Sequence, residues 1–385
     1  MENKVAILNQ PLKLACGAQL PNRIAKAAMN EQLGDINNAP TPEIIRLYKR
    51  WALGGAGLLI TGNVMIDRMA LVLPNDIVIE DEQHLSLLEQ WATASKTKAG
   101  HVWMQINHPG RQSPSYLSSQ PVAPSSVPLQ LPAQDFADPR ALTSAEIEQL
   151  IERHIYTATV AKKVGFTGIQ IHAAHGYLIN QFLSPLSNLR TDCWGGTPEK
   201  RMHFLLEVYQ GIRNCLGKDF PISVKLNSAD FQRGGFTEEE SMNVVQALEQ
   251  VGVDLIEISG GTYEKLAMMG QVQIPQKETT RQREAYFLEY VRRVRSIVSI
   301  PIMLTGGFRS VNAMVQAISE GSVDVIGLAR PLAVVPDFPI QLLTGRTEKI
   351  NLQPQLTPNT HMDEGMLEII WYTQQIHQLA GIREC

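Results

Sequence analysis

The residues best suited to chemistry are gathered in one stretch, Thr167 to Gly196. Thr167 to His172 alternates and carries β-branched side chains, the pattern of a buried strand. His172, His175 and Tyr177 follow at once, so three proton-handling side chains crowd the end of that strand. The histidines admit three readings. As metal ligands their i, i+3 spacing lacks the carboxylate of a zinc-protease helix. As two neutral imidazoles they could donate N–H bonds to one substrate oxygen and stabilise charge developing on it. As structural side chains they would do neither, and the pair alone does not decide. Tyr177 is a candidate general acid, because a phenol is weak enough to keep its proton until it meets a strongly basic carbon. For a lone tyrosine, the plainer reading as an aromatic core residue would win.

Further candidates stand at the ends of other apolar runs. Gln105 offers donor and acceptor together, suited to the amide edge of a ring. Lys225 is either a Schiff-base nucleophile of aldolase type or a fixed cation beside an anion. Thr305-Gly306-Gly307 and Ala329-Arg330 each follow an apolar run and precede a short helical segment. Small residues let backbone N–H groups approach an anion, and a helix start adds its positive end, so the two together read as a phosphate site. The plain alternative is a tight turn and a surface arginine.

The elements that must position these groups are legible in order. Strands are expected over Asn22–Met29, Gly57–Gly62, His101–Ile106, Thr167–His172, Pro221–Leu226, Asp254–Ser259, Pro301–Thr305 and Asp324–Leu328. Helices lie between them, opened by Thr41-Pro42, Thr197-Pro198 and the capping boxes Thr143-x-x-Glu146 and Thr237-x-x-Glu240. A helix over about Asp81 to Ala99 and another over about Glu284 to Val298 complete the alternation, the latter with Arg292, Arg293 and Arg295 on its wet face. Continuous apolar runs alternating with helices indicate parallel strands covered on both faces. The fold class is therefore α/β, a closed (β/α)8 TIM barrel over 1–345, with a doubly wound open sheet as the competitor. The connection 107–142, with seven prolines, reads as a lid or binding loop inserted after the third strand. The tail 346–385 carries one amphipathic helix, Met366–Leu379, expected to pack on the barrel or on a neighbouring subunit.

A net charge of −4 gives no pull toward nucleic acid or an anionic membrane. The most apolar stretch, Trp51–Ile66, is broken by four glycines and is not a membrane span. Four cysteines lie far apart with no C-x-x-C, so no zinc ribbon or iron–sulfur cluster is expected and no metal is assigned. Reduced thiols and the absence of a signal-peptide pattern point to the cytoplasm.

As an ordered set, four motifs resemble the old yellow enzyme family of FMN-dependent NADH:flavin oxidoreductases. They are Leu20-Pro21-Asn22-Arg23-Ile24, Gln105-x-x-His108-Pro109-Gly110-Arg111, His172-Ala173-Ala174-His175-Gly176-Tyr177-Leu178 and Asn188-x-Arg190-x-Asp192-x-Trp194-Gly195-Gly196. The resemblance covers roughly residues 10 to 340. It implies FMN, with NADH or NADPH as electron donor, and a substrate whose C=C bond is conjugated to a carbonyl or nitro group. By the resemblance Ala27, Ala28 and Met29 back the flavin ring, Gly62 lies at the matching second-strand position, and Gln105 reads the pyrimidine edge. Lys225 would sit near N1 and O2, while Gly306, Gly307, Ala329 and Arg330 would hold the phosphate. His172 and His175 match the pair that holds the substrate oxygen, and Tyr177 matches the proton donor. Asn30 stands where the family often has cysteine or threonine, and Lys225 where many relatives have arginine, which keeps charge but loses the planar fork. The chain has neither the cysteine cluster nor the length of the larger, multi-cofactor relatives, so one flavin is expected. A Schiff-base aldolase using Lys225 and a non-catalytic flavin-binding protein are the rival functions. The apolar tail helix is also compatible with a homo-oligomer.

Overall fold

The computed structural model describes residues 5–131, 135–265, 285–356 and 364–382. Eight strands close a parallel barrel: β1 Ile24–Lys26, β2 Leu58–Met65, β3 His101–Asn107, β4 Gly168–Ala173, β5 Ile222–Asn227, β6 Leu255–Ser259, β7 Ile302–Thr305 and β8 Val325–Leu328. Each pairs with its chain neighbour, and β8 pairs with β1 through Ile326 and Ile24. That closure excludes the open doubly wound sheet, which would leave two edges. Between the strands lie α1 Pro42–Leu53, α2 Leu85–Ala94, α3 Ser144–Lys163, α4 His203–Leu216, α5 Glu238–Val251, α6 Leu288–Arg295 and α7 Val311–Ser319, and α8 Arg330–Val334 follows β8.

The helix starts obey local chemistry. Thr41, Thr143, Thr237 and Ser310 each accept an N–H of the first turn, and the two capping boxes close in both directions. Two helix boundaries differ from expectation. The helix expected over 81–99 is only α2, which starts at an uncapped His84 and ends where Ser95 Oγ turns back to the Trp91 carbonyl. The helix opened by Thr197 breaks at Met202, so Pro198–Arg201 stands apart from α4. On α6, Tyr290, Val291 and Val294 are buried, while Arg292 and Arg293 pair with Glu320 and Glu238.

Outward-facing strand residues such as Ile169, Ile171, Val224 and Ile256 join the helices in the main core. Inward-facing positions behave differently on the two sides of the barrel. On β7, β8, β1 and β2 they are apolar or small: Met303, Val325, Gly327, Ala25, Ala27, Leu58 and Ile60. On β3 to β6 they turn polar above Trp103 and Leu255, which lie in the inner apolar cluster. There Gln105 is in register with Gln170, Lys225 with both His172 and Glu257, and Asn227 with Ser259, while Asn107 ends β3. All eight are buried. Stacked layers of inward side chains are how such a barrel fills its interior.

The connection after β3 is built rather than loose among its described residues. It holds a short turn of helix, Gly110–Gln112, and a two-residue parallel pairing of Val122–Ala123 with Arg140–Ala141. The tail helix, α9 Glu364–Ala380, lies on its own barrel against α1 and α8, burying Tyr372, Ile376 and Ala380. Arg46 and Arg50 of α1 donate to the carbonyls of Ala380 and Leu379 at its end, where the helix dipole is negative.

Two buried histidines on the barrel's flank make stability acid-sensitive. On α3, His154 is 1% exposed, its Nδ1 2.7 Å from the Leu150 carbonyl, and its Nε2 has no partner among the described residues. Burial pulls it down to about 4, and burial pulls His108 down to about 3. Both pKa values are lower folded than unfolded, so stability present above about pH 6.5 is lost as pH falls toward the folded values. His154 alone should account for about 3 kcal/mol of that loss. Urea unfolding of His154→Leu across this range should show the smaller acid dependence; an unchanged dependence would assign it elsewhere.

Candidate active site

The strands deliver the predicted groups to the barrel's C-terminal mouth. His172 is the penultimate residue of β4 and is 3% exposed. Its Nδ1 accepts the Ala174 N–H at 3.2 Å. Burial, with His175 and Lys225 adding to it, holds its pKa well below the usual imidazole range. A neutral ring with Nδ1 engaged as acceptor carries its proton on Nε2, so His172 is preset as a donor. His175 sits at φ 62, an unusual backbone state for a side-chain-bearing residue. It is held there by its N–H to Asn227 Oδ1 at 3.1 Å and by Gln112 donating to its carbonyl at 3.0 Å. Its Nε2 lies 2.7 Å from Ser259 Oγ, leaving Nδ1 as the second nitrogen, and burial with Lys225 nearby keeps this ring neutral too. The two imidazoles stand edge to face at 5.1 Å, and Tyr177 stands edge to face with His172 at 4.8 Å.

Tyr177 is 6% exposed and its hydroxyl lies 2.8 Å from that of Tyr263. Burial first, then Tyr263 and Asp76, push its pKa well above the usual phenol value, so it holds its proton at neutral pH. Asp76 went unnoticed in the sequence. It accepts N–H bonds from Val72 and Leu73 and one from Asn30 Nδ2 at 2.8 Å, and burial raises it to about 6. Asn30 is thus turned toward Asp76.

Below this triad runs a continuous polar chain. Gln105 donates to Gln170 at 2.7 Å, Gln170 donates to Glu257 at 2.8 Å, and Glu257 lies 3.0 Å from Lys225 Nζ. Glu257 and Gln170 were missed by sequence reasoning; their signal is a polar residue at alternate positions of otherwise apolar strands, Gly168–Ala173 and Leu255–Ser259. The ion pair keeps the Lys225 charge in place, which suits a fixed cation better than a free Schiff-base nucleophile. Among the described residues no group of His, Cys, Asp and Glu converges to hold a metal ion.

On the opposite side stand glycines whose surroundings exclude a side chain. Gly306 and Gly307 have φ 128 and 88, conformations that disfavour a side chain, and a Cβ at Gly307 would meet the Ala285 nitrogen at 2.8 Å. A Cβ at Gly62 would meet the Met29 carbonyl at 2.2 Å. The N–H groups of Gly307 and Ala329 have no backbone acceptor among the described residues, so two donors at adjacent strand ends remain for an anion. Arg330 opens α8 beside them and pairs with Glu368 of the tail helix at 3.0 Å. An amide reader and a fixed cation on one side, with small residues and open backbone donors on the other, fit a planar ring that carries a phosphate.

The family model described as NADH:flavin oxidoreductase / NADH oxidase matches residues 8–349. The chain belongs to this family. An NADH-dependent flavin oxidoreductase of Hypocrea jecorina is 36% identical over 86% of this chain and 87% of its own. An NADPH dehydrogenase of Geobacillus thermodenitrificans is 30% identical over 84% and 90%. Among solved structures, a 2-naphthoyl-CoA reductase complex superposes with a TM-score of 0.81 at 27% identity, over 89% of this chain and 52% of that longer one. The old yellow enzyme homologue of Zymomonas mobilis shares the fold, with a TM-score of 0.76 at 24% identity over 90% and 94%. As a member of the NADH:flavin oxidoreductase family the chain is an oxidoreductase that uses FMN with NADH or NADPH. Membership removes the aldolase reading. No helix among the described residues is long and apolar enough to cross a membrane.

Proposed function

We propose that this oxidoreductase reduces C=C bonds conjugated to a carbonyl, thioester or nitro group. The observation that carries the reading is His172: a neutral imidazole whose Nδ1 is already engaged, so that Nε2–H is left to donate, beside a protonated phenol at the barrel mouth. FMN, when bound, supplies the hydride relay between NAD(P)H and the substrate. Gln105 and Lys225 would hold its ring edge, and Gly306, Gly307, Ala329 and Arg330 its phosphate, with Ala27, Ala28, Met29, Asn30 and Gly62 around the ring. His172 and the free nitrogen of His175 hold the substrate's oxygen as negative charge develops on it, a donor in such a site being worth about 3 kcal/mol. Tyr177 delivers its proton to the α-carbon. The 2-naphthoyl-CoA reductase likeness favours including thioesters among the substrates.

Anaerobic mixing of the NADH-reduced enzyme with a panel of enones, nitroalkenes and dienoyl thioesters tests this, each trial followed at the flavin band. At least one class should reoxidise the enzyme rapidly; no reaction with any would refute the reading. Arg330→Ala should raise the Kd for FMN about ten- to a hundredfold, the worth of one charge-assisted contact. Unchanged flavin content after dialysis would take Arg330 out of the phosphate site. The segment Tyr263–Arg283, expected to help select the substrate, lies outside the described residues beyond Lys265.

A further inference from the structure

Tyr177 has a supply problem. If it gives a proton away in every turnover it must recover one, yet it is 6% exposed. Around it lie Met65, Leu71, Val72 and Val78, which carry no exchangeable proton on their side chains. Asn63 reaches the phenol with a side-chain amide, which binds a phenolate but does not pass protons readily. His172 meets it edge-on, with one nitrogen already taken by the Ala174 N–H. That leaves Tyr263, hydroxyl to hydroxyl at 2.8 Å, its ring 5.7 Å away and partly exposed.

We propose that Tyr263 is the relay through which Tyr177 regains its proton from solvent; this rests on the reading of Tyr177 as the donor. The Tyr177 O–H bond breaks as a C–H bond forms at the α-carbon, and the electron pair stays on the Tyr177 oxygen. The Tyr263 proton then crosses the 2.8 Å bond to that oxygen, and Tyr263 takes one proton from water or a buffer acid. Neither tyrosine changes oxidation state, and one solvent proton enters per alkene reduced.

The relay is held in register from both sides. Thr262 and Lys265 exchange backbone hydrogen bonds across a tight turn with Tyr263 inside it, and Thr262 bridges to His175. The next residue, Glu264, is ion-paired at 3.0 Å with Arg111 of the connection after β3, both side chains being 8% exposed. Asp76 faces both phenols, but its oxygens are occupied by Val72, Leu73 and Asn30, so it acts through charge. Burial raises Tyr263 to about 12, with Asp76 adding to it, which keeps this phenol protonated between turnovers.

The test uses the FMN-loaded full chain, NADH-reduced and mixed with whichever alkene of the enone, nitroalkene and thioester panel reoxidises it fastest. In Tyr263→Phe the first alkene per site should be reduced far faster than later ones, because Tyr177 starts protonated. A product burst of one per flavin should precede a steady state slower than wild type by on the order of ten- to a hundredfold. That slow phase should quicken with buffer-acid concentration and slow in deuterium oxide. Tyr263→His, which restores an exchangeable proton, should lose the burst, and it also decides the matter if the Phe variant fails to hold FMN. A Tyr263→Phe enzyme with wild-type turnover and no burst, or one whose first and later turnovers slow equally, overturns the relay. Tyr177→Phe run in parallel separates the two claims: wild-type alkene reduction there sinks the donor reading itself, whereas a slow Tyr177→Phe beside a wild-type Tyr263→Phe sinks the relay alone.

Discussion

Tyr177→Phe is expected to slow alkene reduction by the reduced enzyme about 10²- to 10⁴-fold, the usual contribution of a positioned general acid. It should leave reduction of the enzyme by NAD(P)H within about twofold, since the change removes one hydroxyl and no proton transfer to carbon occurs in that half-reaction. The substitution keeps the ring that packs against His172 and Val78, so it should not disturb the mouth's shape. Stopped-flow measurement of the two half-reactions separately reads the ratio directly. Equal slowing of both would mean that the phenol positions a cofactor rather than protonating a substrate.

The second large effect concerns stability. Lys26 is completely buried beneath α1, its Nζ 3.4 Å from Glu31, 2.8 Å from the Ile60 carbonyl and 4.4 Å from the Trp51 ring centroid. Glu31 also accepts the Tyr48 hydroxyl at 2.5 Å and the Gly62 N–H at 3.2 Å, so one carboxylate ties the turn after β1 to β2. His377 of the tail reaches the Glu31 carbonyl at 3.0 Å. Lys26→Met strands a buried carboxylate and should cost about 3–5 kcal/mol. Pairing it with Glu31→Gln removes the stranded charge, so the double variant should lose less than the two single losses added together. Urea unfolding of the four proteins in this cycle measures it; a Lys26→Met protein within about 1 kcal/mol of wild type would show that the pair contributes little.

What could be read from sequence was whatever depends on neighbours in the chain. The caps at Thr41, Thr143 and Thr237, the apolar runs of the strands and the cluster of His172, His175 and Tyr177 all act over a few residues, and the structure places them where the pattern says. What was invisible depends on partners far away. Gln105 and Gln170 are 65 residues apart, Gln170 and Glu257 87, and only barrel closure makes them one chain of hydrogen bonds. Asp76 and Tyr263 reach Tyr177 from separate connections, and neither carries a local signal. The first strand was expected to reach Met29, but it ends at Lys26 with one further bond from the Ala27 N–H to the Leu328 carbonyl, and Glu31 folds back onto that lysine. Arg330 was read as a phosphate ligand from its place after β8; its contact with Glu368 needed the tail helix in position to be seen.

Everything rests on the barrel mouth passing hydride to an activated alkene. The most direct test takes FMN-loaded enzyme, reduced anaerobically with one equivalent of NADH, mixes it separately with cyclohexenone, a nitroalkene and a dienoyl thioester, and follows the flavin absorbance band. At least one of the three should return the oxidised flavin spectrum in full, with the saturated product formed in equal amount. A spectrum that stays reduced with all three until oxygen is admitted would contradict the reading.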